Sequence, residues 1–316
     1  MVKGDDKKRA GVVLIVGFLG AGKTTLLRHL LSCERDMSDT VVIVNEFGEV
    51  GIDGSLLEGV GEVVELTSGC ICCTLALGIR KTLRDVIDNF SPKWIFIEAS
   101  GVADPKNIIP IVGEFIDGGD VDSLKIVTVV EADLWSARDI LGALFFNQLK
   151  SADLVVLNKV DLIDEDRLEK AVKEIREASG GSPVVPAVRA RVDLEVIKEG
   201  VKGGKGLTQH KGYEEGTKAQ DFISFSFVES RPLNESRLEK LLNSLPFGMF
   251  RIKGAVSFSD RTAFLSYVGW KMELTEIELT DITSSTHGDE KITRLAFVGW
   301  GVDKDEIIGR FKACLD

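Results

Sequence analysis

Three cysteines fall within the stretch GCICCT, at Cys70, Cys72 and Cys73. Thiols this close together can be inert packing, a redox pair or a grip for a metal ion. A thiolate trio on a short loop can close around one soft or borderline cation, with Cys70 and Cys72 converging across a turn and Cys73 or a neighbouring acid completing a tetrahedron. A permanent structural zinc site draws on two separated ligand pairs, and the sequence holds no second pair; His29, His210 and His287 are all distant along the chain. The cluster therefore reads as an open metal site suited to transient binding, with a reversible disulfide as the competing reading.

A second chemistry stands upstream. GFLGAGKT, residues 17–24, fits G-x-x-x-x-G-K-[ST] and sits between a β-type run and a helical one, the context this pattern requires. Gly17, Gly20 and Gly22 permit a backbone that turns its N–H groups inward around phosphate oxygens. The following helix points its positive end at the same place. Lys23 would neutralise the β- and γ-phosphates, and the Thr24 hydroxyl would ligate Mg²⁺. Ala21 and Thr25 complete the candidate phosphate-contacting set.

NKVD, residues 158–161, follows the run DLVVL. An Asp161 carboxylate can accept two bonds from the N1–H and exocyclic amine of guanine, whereas adenine offers the wrong pattern. Asn158 is the second base-contact candidate, and the Lys159 stem would pack along the base or loop. The tetrapeptide alone is also compatible with a helix start capped by Asp161 or Asp164. IEASG, residues 97–101, ends another apolar run: Glu98 can hold a Mg²⁺-bound water and Gly101 lets a backbone N–H approach the γ-phosphate. Lys23 and Glu98 are thus the candidate catalytic residues. NEFGEVGIDG, residues 45–54, adds Asn45, Glu46 and Glu49 between phosphate loop and thiols; either acid could serve Mg²⁺ or the second metal, or belong to a solvated acidic loop.

These stretches need a scaffold that brings them together. Short Val- and Ile-rich runs at 12–17, 40–47, 62–66, 93–99, 125–132, 153–159 and 182–188 are apolar on both faces, as expected of strands covered by helices on both sides. Leucine and isoleucine stripes at 23–32, 75–90 and 166–178 supply helices between them. The alternation predicts an α/β fold, a P-loop NTPase with a mainly parallel doubly wound sheet, in which strand ends line one crevice. Residues 198–220 are Gly- and Lys-rich and read as a flexible linker. Beyond it, alternating runs at 222–229, 250–258, 263–270 and 294–300 and helical patterns at 237–245 and 304–315 predict a smaller C-terminal α+β domain. The expected division is 1–197, 198–220 and 221–316.

Bulk properties narrow the partners. With 39 basic and 50 acidic residues among 316, the net charge of −11 argues against nucleic acid and against a membrane surface as partners. No apolar run approaches the roughly 20 residues that span a bilayer, and the charged start MVKGDDKKRAG is a poor signal peptide, so a cytoplasmic location is expected. Five cysteines without framework spacing favour free thiols or metal ligation over structural disulfides.

Taken together, GFLGAGKTTLL, VNEFGEVGID, GCICC, EASGVADP and NKVD resemble the CobW-type metallochaperone GTPases, a branch of the P-loop GTPases. The likeness is close over residues 11–190 and looser beyond. It implies a GTPase that uses GTP and Mg²⁺, binds Zn²⁺ or Co²⁺ in its GTP-bound form and delivers it to a metalloprotein client. A homodimer is also among the expected assemblies. The likeness carries Lys23 and Thr24 over as phosphate and Mg²⁺ contacts, Glu98 as the acid near Mg²⁺, Asn158 and Asp161 as guanine contacts, and Cys70, Cys72 and Cys73 as the metal motif. Two departures stand out: the region between domains holds only His210 where relatives carry a His-rich stretch, and the family's VVDA reads VVEA, with Glu131. The runner-up reading is a GTP-dependent maturation switch for a cofactor-containing enzyme, without metal transfer.

Overall fold

The computed structural model describes residues 9–33, 39–44, 62–65, 74–199, 222–246, 248–268, 271–276 and 292–316. They fall into two compact units, the second comprising Gln220–Asp316 in the main.

The first unit is built on a seven-stranded sheet. Its strands in chain order are β1 (Ala10–Gly17), β2 (Thr40–Val44), β3 (Glu62–Glu65), β4 (Trp94–Glu98), β5 (Val121–Glu131), β6 (Leu154–Asn158) and β7 (Val184–Ala187). They lie in the order β3-β2-β4-β1-β5-β6-β7, every neighbouring pair parallel. β2 and β3 lie to one side of β1, β4 then inserts between β2 and β1, and β5 to β7 follow on the other side, so the order switches at β1, where such sheets bind ligands.

Period-two alternation along β1 explains the two-sided burial. Val12, Leu14 and Val16 enter one apolar core with Ile79, Leu83 and Val86 of α2 (Thr74–Phe90) and Ile111, Val112 and Phe115 of α3 (Ile109–Asp117). Val13 and Ile15 enter the opposite core with Leu26, Leu27, Leu30 and Leu31 of α1 (Lys23–Cys33). Three further helices are described in this unit: α4 (Gly142–Lys150), α5 (Glu165–Ala178) and α6 (Leu194–Glu199). Asp164 caps α5, its carboxylate accepting from the Arg167 amide at 2.8 Å.

Helix α6 runs through residue 199, two residues into the stretch expected to be linker. The cause is local: the Asp193 carboxylate accepts from the Glu195 amide at 3.0 Å, and Ile197 is fully buried. The remaining residues of that stretch, 200–220, lie outside those described. Helices α3 and α4 had no counterpart among the expected elements. Both are short, and α3 opens IPIVG, whose continuous apolar character hides a helical period.

The second unit is a five-stranded antiparallel sheet in the order β11-β10-β9-β12-β8. Its strands are β8 (Phe222–Glu229), β9 (Met249–Ser257), β10 (Thr262–Val268), β11 (Lys271–Glu276) and β12 (Thr293–Trp300). One face packs against α7 (Glu235–Leu242) and α8 (Lys304–Lys312). Phe225 and Phe297 stack at 4.8 Å on adjacent strands, and Phe311 of α8 meets Phe297 edge-on at 5.0 Å. Cys314 is buried in this core, and burial pushes its thiol pKa up against the pull of Arg237 and Arg310.

Candidate functional site: a phosphate and guanine cradle

The parallel register brings the chemistry-bearing residues to one sheet edge. Gly17 ends β1, Glu98 ends β4, Glu131 ends β5 and Asn158 ends β6. Glu98 stands opposite Ile15 in the register, and the Ala99 amide donates to the Ile15 carbonyl at 2.9 Å, fixing the IEASG stretch beside the phosphate loop.

The loop itself is shaped by glycine. Gly17 and Gly22 have φ of 144° and 107°, where a side chain is strained. A β-carbon on Gly17 would also run into the Val129 carbonyl, and one on Gly22 into the Asn158 amide. Phe18 is buried and meets Phe145 of α4 edge-on at 6.5 Å, which seats the loop's apolar shoulder on that helix. Lys23 is buried and its ammonium donates back to the Phe18 carbonyl at 3.2 Å, so a cation already lies across the loop.

At the next position the Thr24 hydroxyl donates to Glu98 Oε1 at 2.6 Å. Two oxygen donors thus meet at the junction of α1 and β4, and Glu98 is only 6% exposed. Hard oxygen ligands of this kind fit Mg²⁺, which retains waters and takes few protein donors. Thr25 is exposed and Ala21 buried in the loop. Gly101 lies against the loop from the other side, close enough that a β-carbon would meet the Leu19 amide nitrogen at 2.8 Å.

Two residues that motif reasoning missed hold the 99–104 turn. Gln148 of α4 is fully buried, donating to the Ala103 carbonyl at 2.9 Å and the Gly101 carbonyl at 3.4 Å. Its neighbour Asn147 donates to Asp104 at 3.0 Å, and Asp104 caps a single turn over Pro105–Asn107. The signal was present in ALFFNQLK, where two amides interrupt an apolar run. A buried amide needs partners, and here they are the backbone carbonyls of the turn beside the phosphate loop.

Across the crevice, Asn158 is 2% exposed and its amide is engaged on both ends. Nδ2 donates to the Ala21 carbonyl at 2.8 Å, and Oδ1 accepts from the Ala190 amide at 2.7 Å. The Asn158 side chain therefore ties the phosphate loop to the turn after β7, where Arg189 and Ala190 take left-handed φ of 51° and 52°. Lys159 is left-handed too, φ 61°, and pairs with Glu131 at 2.9 Å. Asp161 is exposed in the turn Val160–Leu162.

Glu46, Glu49, Cys70, Cys72 and Cys73 lie outside the described residues, as do residues 45–47 of the expected second strand. Among the described residues no group of three or more His, Cys, Asp or Glu is placed to hold a metal ion, and no helix is long and apolar enough to cross a membrane.

Comparison with known proteins agrees with this architecture. Residues 11–186 match the family described as CobW/HypB/UreG, nucleotide-binding domain, and residues 222–315 match the cobalamin synthesis protein CobW C-terminal domain. The chain is 30% identical to the zinc chaperone CobW of Pseudomonas aeruginosa, an alignment covering 96% of this chain and 91% of that protein. It is 35% identical to the zinc chaperone CobW of a Sinorhizobium species over 54% of this chain and 57% of the relative, and 29% identical to zinc-regulated GTPase metalloprotein activator 1 of Dictyostelium discoideum over 77% and 62%. Among solved structures, Zn(II)-bound YjiA GTPase from E. coli is similar at 21% identity and a TM-score of 0.42, covering 98% of this chain and 99% of that one. From the nucleotide-binding match and the near full-length likeness to the Pseudomonas protein, the chain belongs to the CobW/HypB/UreG family and carries the CobW C-terminal domain.

Proposed function

We propose that this protein is a GTP-hydrolysing metallochaperone: it binds GTP with Mg²⁺, holds Zn²⁺ or Co²⁺ on the Cys-x-Cys-Cys motif while the triphosphate is bound, and passes the ion to a metalloprotein client. Residues 1–197 form the GTPase domain in this reading and 221–316 the C-terminal CobW-like domain. The observation that carries the nucleotide half is the Thr24–Glu98 contact at 2.6 Å beside a phosphate loop whose far end is bonded to Asn158. The metal half is supported by the GCICC motif itself and by its position in the chain. It follows shortly after Glu65, which ends β3 at the same sheet edge as Gly17 and Glu98. The zinc-chaperone names of the relatives point the same way.

In hydrolysis a water oxygen attacks the γ-phosphorus and the bond to the β–γ bridging oxygen breaks, giving GDP and phosphate. Backbone N–H groups of the loop and the Lys23 ammonium hold the phosphates and offset charge on their oxygens. Thr24 and Glu98 are the residues that would hold Mg²⁺, which when bound neutralises charge on the β- and γ-phosphates. Asp161 selects guanine, and Asn158 keeps base site and phosphate loop in register. No arginine finger or water-positioning Gln is identifiable among the motifs, so unassisted turnover should be slow, on the order of 10⁻⁴ to 10⁻² s⁻¹.

The test separates the two halves. Cys72→Ala should leave Mg-GTP affinity within about twofold of the parent while weakening Zn²⁺ or Co²⁺ binding by roughly 10²-fold or more, as loss of one of three or four ligands does. Unchanged metal affinity in that variant would remove the thiols from the assignment.

A further inference from the structure

Glu131 closes β5 directly opposite Asn158, and the Ala132 amide donates to the Asn158 carbonyl at 2.9 Å. Its side chain is 6% exposed and its carboxylate meets the Lys159 ammonium at 2.9 Å. Lys159 holds the left-handed backbone that a lysine rarely adopts. A carboxylate withdrawn from water needs a paired cation, and a left-handed lysine needs surroundings that hold it there. Each feature accounts for the other. With its ammonium taken up by Glu131, Lys159 offers a ligand its methylene stem rather than its charge. Along the chain Lys159 lies between Asn158, which is bonded to the phosphate loop, and the exposed Asp161.

We propose that Glu131 is a positioning residue for guanine recognition: it fixes Lys159 so that the lysine stem forms an apolar platform for a purine ring, with no part in phosphate binding. The inference rests on the GTP reading above. It concerns the base alone, so it separates cleanly from the phosphate chemistry of Lys23 and Thr24.

The experiment uses the full-length protein with Glu131→Gln, Lys159→Ala and the double variant. Equilibrium affinities are measured for GTP, ATP and inorganic tripolyphosphate in Mg²⁺, together with turnover at saturating GTP. Glu131→Gln should weaken GTP binding by about five- to twentyfold, the range of a lost charge-assisted contact, while tripolyphosphate affinity and saturated turnover stay unchanged. Lys159→Ala should likewise weaken GTP binding while sparing tripolyphosphate, and the double variant should be no weaker than the weaker single one, because the pair acts as a unit. Glu131→Asp, which keeps the charge on a shorter arm, should recover part of the loss. Parental GTP affinity in Glu131→Gln would overturn the inference, as would equal losses for GTP and tripolyphosphate, or losses that simply multiply in the double variant. An unmutated protein that binds GTP no better than ATP would overturn the guanine reading itself, and this inference with it.

Discussion

In the proposed reading, Asp161 is the residue on which base choice turns. Its carboxylate is exposed, and its two acceptors would match a ring that presents two donors side by side, as guanine does. Asp161→Asn replaces one acceptor with a donor, which suits a ring carrying a carbonyl where guanine carries its amine. The variant should lose GTP affinity by roughly 10- to 100-fold, the cost of leaving a donor unmatched, and gain affinity for xanthosine triphosphate; competition binding with both nucleotides reads the exchange. Asn158 stands in a different position. Its amide is engaged with Ala21 and Ala190, so in the proposed reading its part is structural first: it ties the phosphate loop to the turn after β7. Thiol reactivity belongs to the same scale. Cys314 is buried with its pKa raised by burial, so alkylation at neutral pH should be slow there and faster at the exposed Cys33. Peptide mass mapping over a time course checks this, and Cys314 then serves as the slow internal reference when oxidation of Cys70, Cys72 and Cys73 is measured.

At the scale of elements, the loop from β1 to α1 depends on a glycine that touches another strand's end. Gly22→Ala places a methyl against the Asn158 amide and strains a φ of 107°. The expected result is loss of GTP binding by at least tenfold, with thermal stability lowered by a few degrees, because both the loop and its tie to β6 must shift. Asp164→Ala is the complementary case: removing the α5 cap should cost about 1 kcal/mol of stability by denaturant titration while GTP affinity is unchanged. The strands and the phosphate loop were legible in the sequence because their signals are local, short β-branched runs and a fixed glycine spacing. The Thr24–Glu98 contact was legible as a pair of roles, not as a bond. What escaped was the support at a distance. Gln148 and Asn147 reach the 101–104 turn from a helix some 45 residues away, and Glu131 reaches Lys159 across a strand pair. Long-range partners of this kind are set by sheet order and register, which no window along the chain contains. Helix α3 was missed for a related reason: IPIVG is apolar throughout, so its period disappears.

For the whole molecule, the sheet gathers nucleotide chemistry at one edge, and β3, the strand that precedes the thiol motif in the sequence, ends at that edge too. A protein that loads an ion in one nucleotide state and releases it in another needs the two sites to share free energy. Linkage makes that reciprocal: if GTP tightens Zn²⁺ binding by some factor, Zn²⁺ must tighten GTP binding by the same factor. Couplings of this sort typically amount to about 1–3 kcal/mol, or roughly 5- to 150-fold. The most direct measurement is a competitive Zn²⁺ titration of the full-length protein with Mg²⁺ and a non-hydrolysable GTP analogue, repeated with Mg-GDP and with no nucleotide, with Co²⁺ run in parallel. Zn²⁺ affinity should be at least fivefold higher with the triphosphate analogue than with GDP or without nucleotide. Equal affinity in all three states would contradict a nucleotide-gated metal chaperone.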